Sequence, residues 1–285
     1  MTKTVSTIVI YCNPIDQIKT VLACCASITG NTVFVVDNSP TNKFQELCLS
    51  FGAQYIHTPS NPGFGASHNL AKEKFPDYDT YLIVNPDVHF SSDDAIKLID
   101  FINKNHDVVC VVPKVIYPDG QLQRLCKLLP SPLNLFVRRF AKKLADKLDN
   151  NFELRWFSYN VAVAIPYASG CFMAVRAEIF RKIGGFDERF FMYLEDTDLS
   201  RRLSQHGKII FYPDAIITHE FAKASYKNKR LLLVHIKSAV QYFNKWGWFF
   251  DRERNQINSE AVAKIRAVMA EAKTANPKCT ESSSR

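Results

Sequence analysis

Short apolar runs alternate with segments of helical periodicity along the first 120 residues of the chain. The runs that predict strands cover residues 5–11, 32–36, 54–57, 81–84 and 108–112, and the helical segments cover 16–28, 44–51, 64–75 and 91–105. Apolar runs bounded by turn residues and separated by helices are typical of strands that are buried on both faces. This pattern predicts an α/β fold with a mostly parallel central sheet flanked by helices.

The pattern is less regular after residue 120. Further strands are predicted at 161–166, 171–175, 209–212 and 215–218, and helices at 177–183 and 195–206. Residues 133–148 predict an amphipathic helix with basic outer faces, which fits either a surface helix on the sheet or a contact with a membrane surface. Beyond about residue 222 the strands stop, and residues 227–254 predict a helical, basic and aromatic tail.

Composition and charge narrow the classes of protein. No run of about 18 apolar residues occurs and no signal peptide is recognisable, so we expect the chain in the cytosol. The eight cysteines form no Cys-x-x-Cys pair, which argues against a disulfide framework or a zinc knuckle. Residues 1–120 carry 8 basic and 12 acidic residues, whereas residues 121–285 carry 28 and 16. The basic half favours an anionic partner such as nucleic acid, a membrane or a phosphorylated substrate.

Two groups of acidic residues are candidates for chemistry. Asp87 follows a predicted strand, at the sheet edge where ligands of parallel sheets bind, although a lone Asp there is often a turn former or helix cap. Glu195, Asp196 and Asp198 lie within four positions at a predicted helix start, where the helix dipole relieves part of their repulsion. Asp198 can pair with Arg202 one turn later. Capping explains one acid but not three, so the surplus indicates a general base or a cation site.

His219 ends a predicted strand, where a lone histidine is usually structural. Together with Asp87 it could hold a hard cation, Mg²⁺ or Mn²⁺, with diphosphate oxygens completing the shell. The segment 61–69 contains Gly63 and Gly65 and enters a helix, whose free N–H groups suit an anion. It matches neither the dinucleotide fingerprint nor the phosphate-binding loop, so by itself it is weak support for a nucleotide site.

Taken in order, these motifs resemble a known family. They are residues 7–12, Val36-Asp37-Asn38-Ser39, Asn61-x-Gly-Phe-Gly with Asn69, Val84-Asn85-Pro86-Asp87, Ser169-Gly170-Cys171-Phe172-Met173, residues 184–191, Glu195-Asp196-x-Asp198-Leu199 and His219. The set resembles the family 2 inverting glycosyltransferases with the nucleotide-diphospho-sugar (GT-A) fold, near the rhamnosyltransferase and galactofuranosyltransferase branch. The resemblance covers roughly residues 5–225.

The resemblance implies a role for each matching residue. Those implied to bind the nucleotide sugar are Tyr11, Asp37, Asn38, Asn69, Asn85 and Asp87, and those implied to bind the acceptor are Ser169, Gly170, Glu195 and Asp198. Asp87 and His219 would hold the metal and Asp196 would be the catalytic base. Glu195 would either strengthen that base or hold acceptor hydroxyls. Two positions depart from the family: Asn85 replaces the first Asp of the Asp-x-Asp metal motif, and Tyr11-Cys12-Asn13 replaces the commoner Thr-Tyr-Asn.

The resemblance also implies a domain plan and a reaction. A GT-A domain would span 1–225, with a nucleotide-sugar half (1–120) and an acceptor half (121–225), followed by a helical extension (226–275) and a disordered tail (276–285). We expect transfer of L-rhamnose from dTDP-L-rhamnose, with UDP-galactofuranose or another UDP-sugar as the alternative donor. The expected acceptor is a cell-surface glycan on a polyprenyl diphosphate lipid, reached from the inner face of the cytoplasmic membrane.

Two other classes compete with this reading. A non-enzymatic nucleic-acid binder would use the basic half and the aromatic tail, but no helix-turn-helix, zinc or RNA-binding signature occurs, and clustered carboxylates repel phosphate. A nucleotidyltransferase would carry a Gly-rich, Lys-bearing loop directly after the first strand, and residues 11–16 contain neither Gly nor Lys. We therefore expect no nucleic-acid partner.

Overall fold

The computed structural model describes residues 2–135, 150–220 and 229–275. The strands are β1 (Thr4–Ile10), β2 (Asn31–Asp37), β3 (Gln54–His57), β4 (Thr80–Val84), β5 (Val88–His89), β6 (Val108–Ile116), β7 (Val163–Ala164), β8 (Phe172–Arg176) and β9 (Lys208–His219). The helices are α1 (Ile15–Ala26), α2 (Gln45–Ser50), α3 (Phe64–Lys74), α4 (Ser92–Lys104), α5 (Ala177–Lys182), α6 (Glu195–Leu203), α7 (Lys229–Trp246) and α8 (Arg252–Ala275).

All nine strands belong to one sheet, in the order β3-β2-β1-β4-β8-β6-β9-β5, with β7 paired to β9. The first four strands of that order run parallel, and so do β6 and β9. The strand β8 lies antiparallel between β4 and β6, while β5 and β7 pair antiparallel with β9. The predicted α/β fold with a mostly parallel sheet is confirmed.

Each face of the sheet carries its own hydrophobic core because alternate residues of a strand point to opposite faces. On β2, Val33 and Val35 belong to the core shared with α1, α2 and α4, whereas Phe34 and Val36 belong to the core on the other face. That second core is covered by α3, α5, α6 and α8. The two-sided burial explains why the strands are near-continuously apolar in sequence.

The structure corrects several predicted boundaries. The two strands predicted at 209–212 and 215–218 are one strand, β9, with a register shift where Pro113 and Lys114 face it. The strand predicted at 161–166 is limited to Val163–Ala164, and the helix predicted at 195–206 ends at Leu203. The two-residue strand β5 was not predicted. Most of the helix predicted at 133–148 lies outside the described residues, as does the predicted tail at 276–285.

The C-terminal extension is helical, as predicted, and it packs on the sheet domain. Ile265 of α8 is fully buried in the second core. Tyr242 and Phe243 of α7 form a third cluster with Phe190 and Leu194, which lie just before α6. Among the residues that the structure describes, no helix is both long enough and apolar enough to cross a membrane.

Candidate active site

The carboxyl ends of β1, β2 and β4 lie side by side. In the parallel register Ile10 faces Asp37 and Ile8 faces Val84, so Tyr11, Asn38 and Asn85 all follow at one edge of the sheet. This is the edge at which open α/β sheets bind their ligands. The structure therefore brings together residues that the sequence places at three separate strand ends.

Asp87 and His219 meet because β5 pairs with the end of β9. The register places Val88 opposite His219, and Glu220 donates its backbone N–H to the Asp87 carbonyl at 2.9 Å. Oδ1 of Asp87 lies 3.4 Å from Nε2 of His219. The predicted pair of metal-side residues is thus adjacent, although the short strand that joins them gave no sequence signal.

Gln123 fixes the orientation of His219. Its amide N–H donates to the His219 carbonyl at 2.6 Å, which places its Oε1 3.0 Å from Nδ1 of the imidazole. An N–H at Nδ1 satisfies this oxygen, and Nε2 is then the ring nitrogen on the side of Asp87. Gln123 was not singled out in the sequence, because only the fold brings it to residue 219.

These residues fit a divalent cation that the substrate helps to hold. Oδ1 of Asn85 and Oδ1 of Asp87 are both buried without a hydrogen-bond partner, so each has capacity for a further contact. Within residues 2–135, 150–220 and 229–275, no group of three or more His, Cys, Asp or Glu is placed to hold a metal ion. A site with one carboxylate and one imidazole is therefore complete only when diphosphate or water oxygens supply the remaining ligands.

Asp196 lies half-buried in the first turn of α6, where four donors orient its carboxylate, the most distant being the Thr197 hydroxyl at 3.4 Å. Oδ2 accepts the Tyr167 hydroxyl at 2.7 Å and the Gly170 backbone N–H at 3.1 Å, and Oδ1 accepts the Thr197 backbone N–H at 2.7 Å. Burial of the Tyr167 hydroxyl and the adjacent Asp196 carboxylate raise the pKa of Tyr167 well above its usual value. Tyr167 was missed in the sequence, although it lies only two residues before the Ser169-Gly170 motif.

The segment Gly170-Cys171 connects the two acidic sites. Gly170 donates to Asp196, while the carbonyl of Cys171 accepts the backbone N–H of Asn85 at 2.9 Å. A Cβ on Gly170 would lie 3.3 Å from the Phe64 ring and 3.5 Å from Cβ of Asp196, so this position favours glycine. Ser169 is half-buried directly before it. The geometry therefore places a candidate base and a candidate metal pair on either side of one short backbone segment.

Glu195 and Asp198 occupy different environments from Asp196. Glu195 is buried, and its Oε2 has no hydrogen-bond partner. Burial and the negative charge of Asp196 raise the pKa of Glu195 well above its usual range. Asp198 has no exposed surface, and its oxygens accept from Arg202, Trp246 and Lys245 at 2.6–2.8 Å. Asp198 thus has no surface to offer an acceptor, contrary to the role that the sequence suggested for it.

On the nucleotide side only part of the expected set is accessible. Tyr11 exposes 55% of its surface beside the ends of β1 and β2. Asp37 is fully buried, and its oxygens accept from the Ser39 backbone N–H at 2.8 Å and the Tyr55 hydroxyl at 2.7 Å. Asn38 is also buried. In this arrangement Asp37 and Asn38 offer no surface to a nucleoside.

Asn38 and Asn69 both act as internal clamps. The amide of Asn38 binds the hydroxyls of Ser67 and Thr58. The amide of Asn69 donates to the Phe186 carbonyl at 2.9 Å, and its oxygen accepts the Phe186 N–H at 2.8 Å. Asn69 therefore fixes the turn before α6. The sequence suggested that it binds the nucleotide sugar, but its side chain does not face a nucleotide site.

The glycines of segment 61–69 serve close packing. Gly63 has φ +104°, and a Cβ there would collide with the Phe191 carbonyl. The N–H of Phe64 donates to that carbonyl at 2.9 Å, so this helix start already has a partner. This contact and the close approach at Gly63 join the loop to the chain that leads to α6.

The sheet order and the polar residues gathered at the strand ends are typical of the GT-A nucleotide-diphospho-sugar transferase fold. The model of glycosyl transferase family 2 matches residues 6–184, more than half of the chain, and the protein belongs to this family. It is a glycosyltransferase. Residues 153–225 also match a model described as the N-terminal domain of galactosyltransferase.

Similar proteins include two rhamnosyltransferases. The chain is 26% identical over 238 residues to rhamnosyltransferase WbbL of Escherichia coli K12, covering 80% of this chain and 87% of that protein. It is 23% identical over 282 residues to the N-acetylglucosaminyl-diphospho-decaprenol L-rhamnosyltransferase of Mycobacterium tuberculosis, covering 87% of each chain.

Solved structures share the fold. The mannosyltransferase PcManGT from Pyrobaculum calidifontis, in complex with GDP-Man and Mn²⁺, aligns with a TM-score of 0.58 at 16% identity, covering 96% of this chain and 75% of that one. GalNAc-T7, solved with UDP, GalNAc and Mn²⁺, aligns with a TM-score of 0.55 at 14% identity, and this chain spans 44% of it. Both of these structures contain Mn²⁺, one with the nucleotide sugar GDP-Man and the other with UDP and GalNAc.

Proposed function

We propose that this protein transfers L-rhamnose from dTDP-L-rhamnose to a hydroxyl of a glycan carried on a polyprenyl diphosphate, with inversion at the anomeric carbon. The observation that carries the proposal is the pair of sites joined by Gly170-Cys171, with Asp196 on one side and Asp87 and His219 on the other. The rhamnosyltransferase relatives support the choice of sugar, and the decaprenol-linked substrate of one of them supports the choice of acceptor.

Asp196 is the proposed general base. A sugar hydroxyl is too weak a nucleophile near neutral pH, so a carboxylate has to take its proton during attack. As the acceptor oxygen bonds to the anomeric carbon, its proton moves to Asp196 and the bond from that carbon to the diphosphate oxygen breaks. The electron pair of the broken bond leaves with the nucleoside diphosphate. A single displacement of this kind inverts the anomeric centre and needs no covalent nucleophile.

Glu195 supports Asp196 as a neutral neighbour. Burial and the nearby Asp196 carboxylate raise the pKa of Glu195 well above its usual range, which favours the protonated form of Glu195. Oε2 of Glu195 is buried and has no hydrogen-bond partner within the described residues. Of the two roles that the sequence left open for Glu195, this burial favours an effect on Asp196 over direct contact with acceptor hydroxyls.

Asp87 and His219 are the proposed ligands of Mg²⁺ or Mn²⁺. A bound divalent cation would neutralise the charge that develops on the departing diphosphate. Asn85 adds an amide oxygen beside this pair without adding charge. We expect Tyr11 to stack on the nucleoside base, and its exposed ring at the end of β1 supports this role.

We further propose that the protein works at an anionic membrane surface, where a polyprenyl-linked acceptor would be held. Helix α7 carries four basic residues and no acidic ones. Leu233 is exposed on it, and the following Phe249 and Phe250 expose 68% and 99% of their surfaces. Phe243 is buried, and Trp246 and Trp248 are partly buried against the same cluster. Arg138, Arg139, Phe140, Lys142 and Lys143, in the basic amphipathic helix predicted at 133–148, lie outside the described residues.

Co-sedimentation tests the membrane proposal. Binding to phosphatidylglycerol vesicles should rise with anionic content, fall with salt, and weaken in the double variant Phe249→Ser, Phe250→Ser. Leu49→Ser, which removes another exposed apolar side chain, is the matched control and should bind as the wild type does. Failure to bind anionic vesicles at low salt would contradict the membrane proposal and leave the transferase proposal intact.

A donor panel tests the transferase proposal. The purified protein is incubated with Mn²⁺ and dTDP-L-rhamnose, UDP-galactofuranose or UDP-hexoses, and release of nucleoside diphosphate is followed with a polyprenyl-diphosphate-linked sugar as acceptor. We expect acceptor-dependent release from dTDP-L-rhamnose. Release from a UDP-sugar alone would overturn the choice of donor, and release from none would overturn the proposed function.

A further inference from the structure

The polypeptide enters α6 through a strained backbone. Tyr193 and Leu194 both have positive φ, 72° and 63°, a left-handed region that is unfavourable for non-glycine residues. The next two residues are Glu195 and Asp196. Such a conformation persists only where the surroundings hold it, so the position of Asp196 depends on contacts made by neighbouring residues.

Helix α7 supplies those contacts from the C-terminal extension. Ser238 is buried and donates its hydroxyl to the Met192 carbonyl at 2.8 Å, directly before the strained pair. Two residues after Asp196, the fully buried Asp198 accepts the Trp246 indole N–H at 2.8 Å and lies 2.6 Å from the Lys245 ammonium. Contacts from one helix thus hold the chain on both sides of the proposed base.

The same helix is tied to the rest of the site region. Lys245 lies 2.8 Å from Asp187, in the turn that Asn69 clamps. The guanidinium of Arg201, on α6, lies over the Trp246 ring at 4.2 Å and binds Asp251 at 2.6 Å just beyond α7. Buried ionic hydrogen bonds of this kind are geometrically demanding, because an unpaired buried charge is costly. They leave α6 and α7 little freedom to move independently.

We propose that α7 is part of the catalytic unit and that Trp246 and Lys245 are positioning residues for Asp196, acting through Asp198. This inference rests on the proposed role of Asp196 as the base. It assigns to the C-terminal extension a role in setting the rate of transfer, in addition to the membrane role proposed above. Donor binding should be independent of it, because the donor residues lie at β1, β4 and β9.

Trp246→Phe tests the proposal, since it keeps most of the ring and removes the N–H that Asp198 accepts. We expect kcat to fall on the order of tenfold while the donor KM stays within about twofold. Trp248→Phe is the matched control: it removes an indole N–H from the turn after the same helix, but that N–H donates to Asn244 and not to Asp198. The control should retain wild-type kcat. Lys245→Arg, which keeps the charge, should lose less activity than Lys245→Met.

The outcomes separate positioning from a merely structural role. Unchanged kcat in Trp246→Phe, or an equal loss in Trp248→Phe, would overturn the proposal. If Trp246→Phe does not fold, Ser238→Ala is tested instead. It removes the hydroxyl that donates to the Met192 carbonyl, and kcat should again fall while the donor KM is unchanged. Hydrogen–deuterium exchange of the amides of 195–199 gives a readout that needs no turnover: it should rise in Trp246→Phe and not in Trp248→Phe. Equal exchange in both would contradict the proposal, while absent turnover in the wild-type protein would count against the transferase proposal instead.

Discussion

Tyr167 donates its hydroxyl hydrogen to Oδ2 of Asp196 across 2.7 Å, and this phenol is the only side chain outside α6 that the described residues place in hydrogen-bond contact with the Asp196 carboxylate. The other donor from outside the helix is the Gly170 backbone N–H. Because a base has to face the acceptor hydroxyl in one orientation, we attribute to Tyr167 part of that alignment.

Tyr167→Phe is therefore expected to lower kcat on the order of tenfold without changing the affinity for the nucleotide. The ring stays in place and only the donor to Asp196 is lost. Steady-state kinetics measure the first effect and calorimetric titration of the nucleotide the second. Tyr78→Phe, which removes a hydroxyl bound to Thr32, is the control and should leave both unchanged. Wild-type kcat in Tyr167→Phe would show that the phenol does not align the base.

The metal proposal predicts that chelator abolishes transfer and that Asp87→Ala and His219→Ala each weaken Mn²⁺-dependent nucleotide binding. Each variant removes one of the two side chains that the protein contributes to the metal site. The cation is then held less tightly and binds the diphosphate of the nucleotide less well. Titration of the nucleotide with and without Mn²⁺ measures this independently of turnover. His89→Gln, on the same short strand as Val88 but paired with Glu220, is the control. Activity that persists in excess chelator would identify a metal-independent enzyme.

Asn85→Asp is expected to tighten the metal site. The substitution is nearly isosteric and places a second carboxylate beside Asp87, where the Asn85 oxygen now lies without a partner. The Mn²⁺ concentration for half-maximal nucleotide binding should fall by on the order of tenfold, since hard cations prefer charged oxygen ligands. An unchanged or higher requirement for Mn²⁺ would mean that position 85 does not face the metal.

His68 predicts a pH dependence of stability. Burial lowers the pKa of its imidazole to about 3, whereas the unfolded value is about 6.5. Between these values the unfolded chain binds a proton that the folded chain does not, so stability falls as the pH drops through this window. The slope approaches about 1.4 kcal/mol per pH unit.

Urea unfolding between pH 7 and pH 5 measures this slope. His68→Gln should flatten the pH dependence relative to the wild type, although it also changes the contact with Thr7 and so lowers the absolute stability. His206→Gln, at an exposed position, should keep the wild-type slope. The same slope in His68→Gln as in the wild type would show that His68 does not titrate as its burial implies.

The periodicity of the first 120 residues predicted the sheet because strands buried on both faces have a distinctive apolar signature. It missed β5, since two residues are too short for any periodicity, and it divided β9, since Pro213-Asp214 is typical of a turn. In the structure these residues form an irregularity in the pairing with β6. Local sequence does not distinguish a bulge inside a strand from a turn between two strands.

The sequence motifs predicted which residues of the candidate site lie close together. Asp87 and His219 meet, as the sequence suggested, and Asp196 lies close to Ser169-Gly170. Burial was not predictable, and it changes the roles of Asp37, Asn69 and Asp198.

The identity of an Asp or Asn in a motif does not show whether its side chain is exposed in a cleft or makes buried hydrogen bonds to a loop. Trp246 and Lys245 belong to the segment that the sequence predicts as a helical, basic and aromatic tail, and the structure pairs both with Asp198. Only long-range contacts reveal such partners.

The kinetics of Asp196→Asn test the central claim most directly. The amide keeps the size of the side chain and cannot take the proton of the acceptor hydroxyl. We expect transfer to fall by at least about a hundredfold, with nucleotide affinity and melting temperature close to those of the wild type. Residual kcat within about tenfold of the wild type, which corresponds to roughly 1.4 kcal/mol in the barrier, would contradict the assignment of Asp196 as the catalytic base.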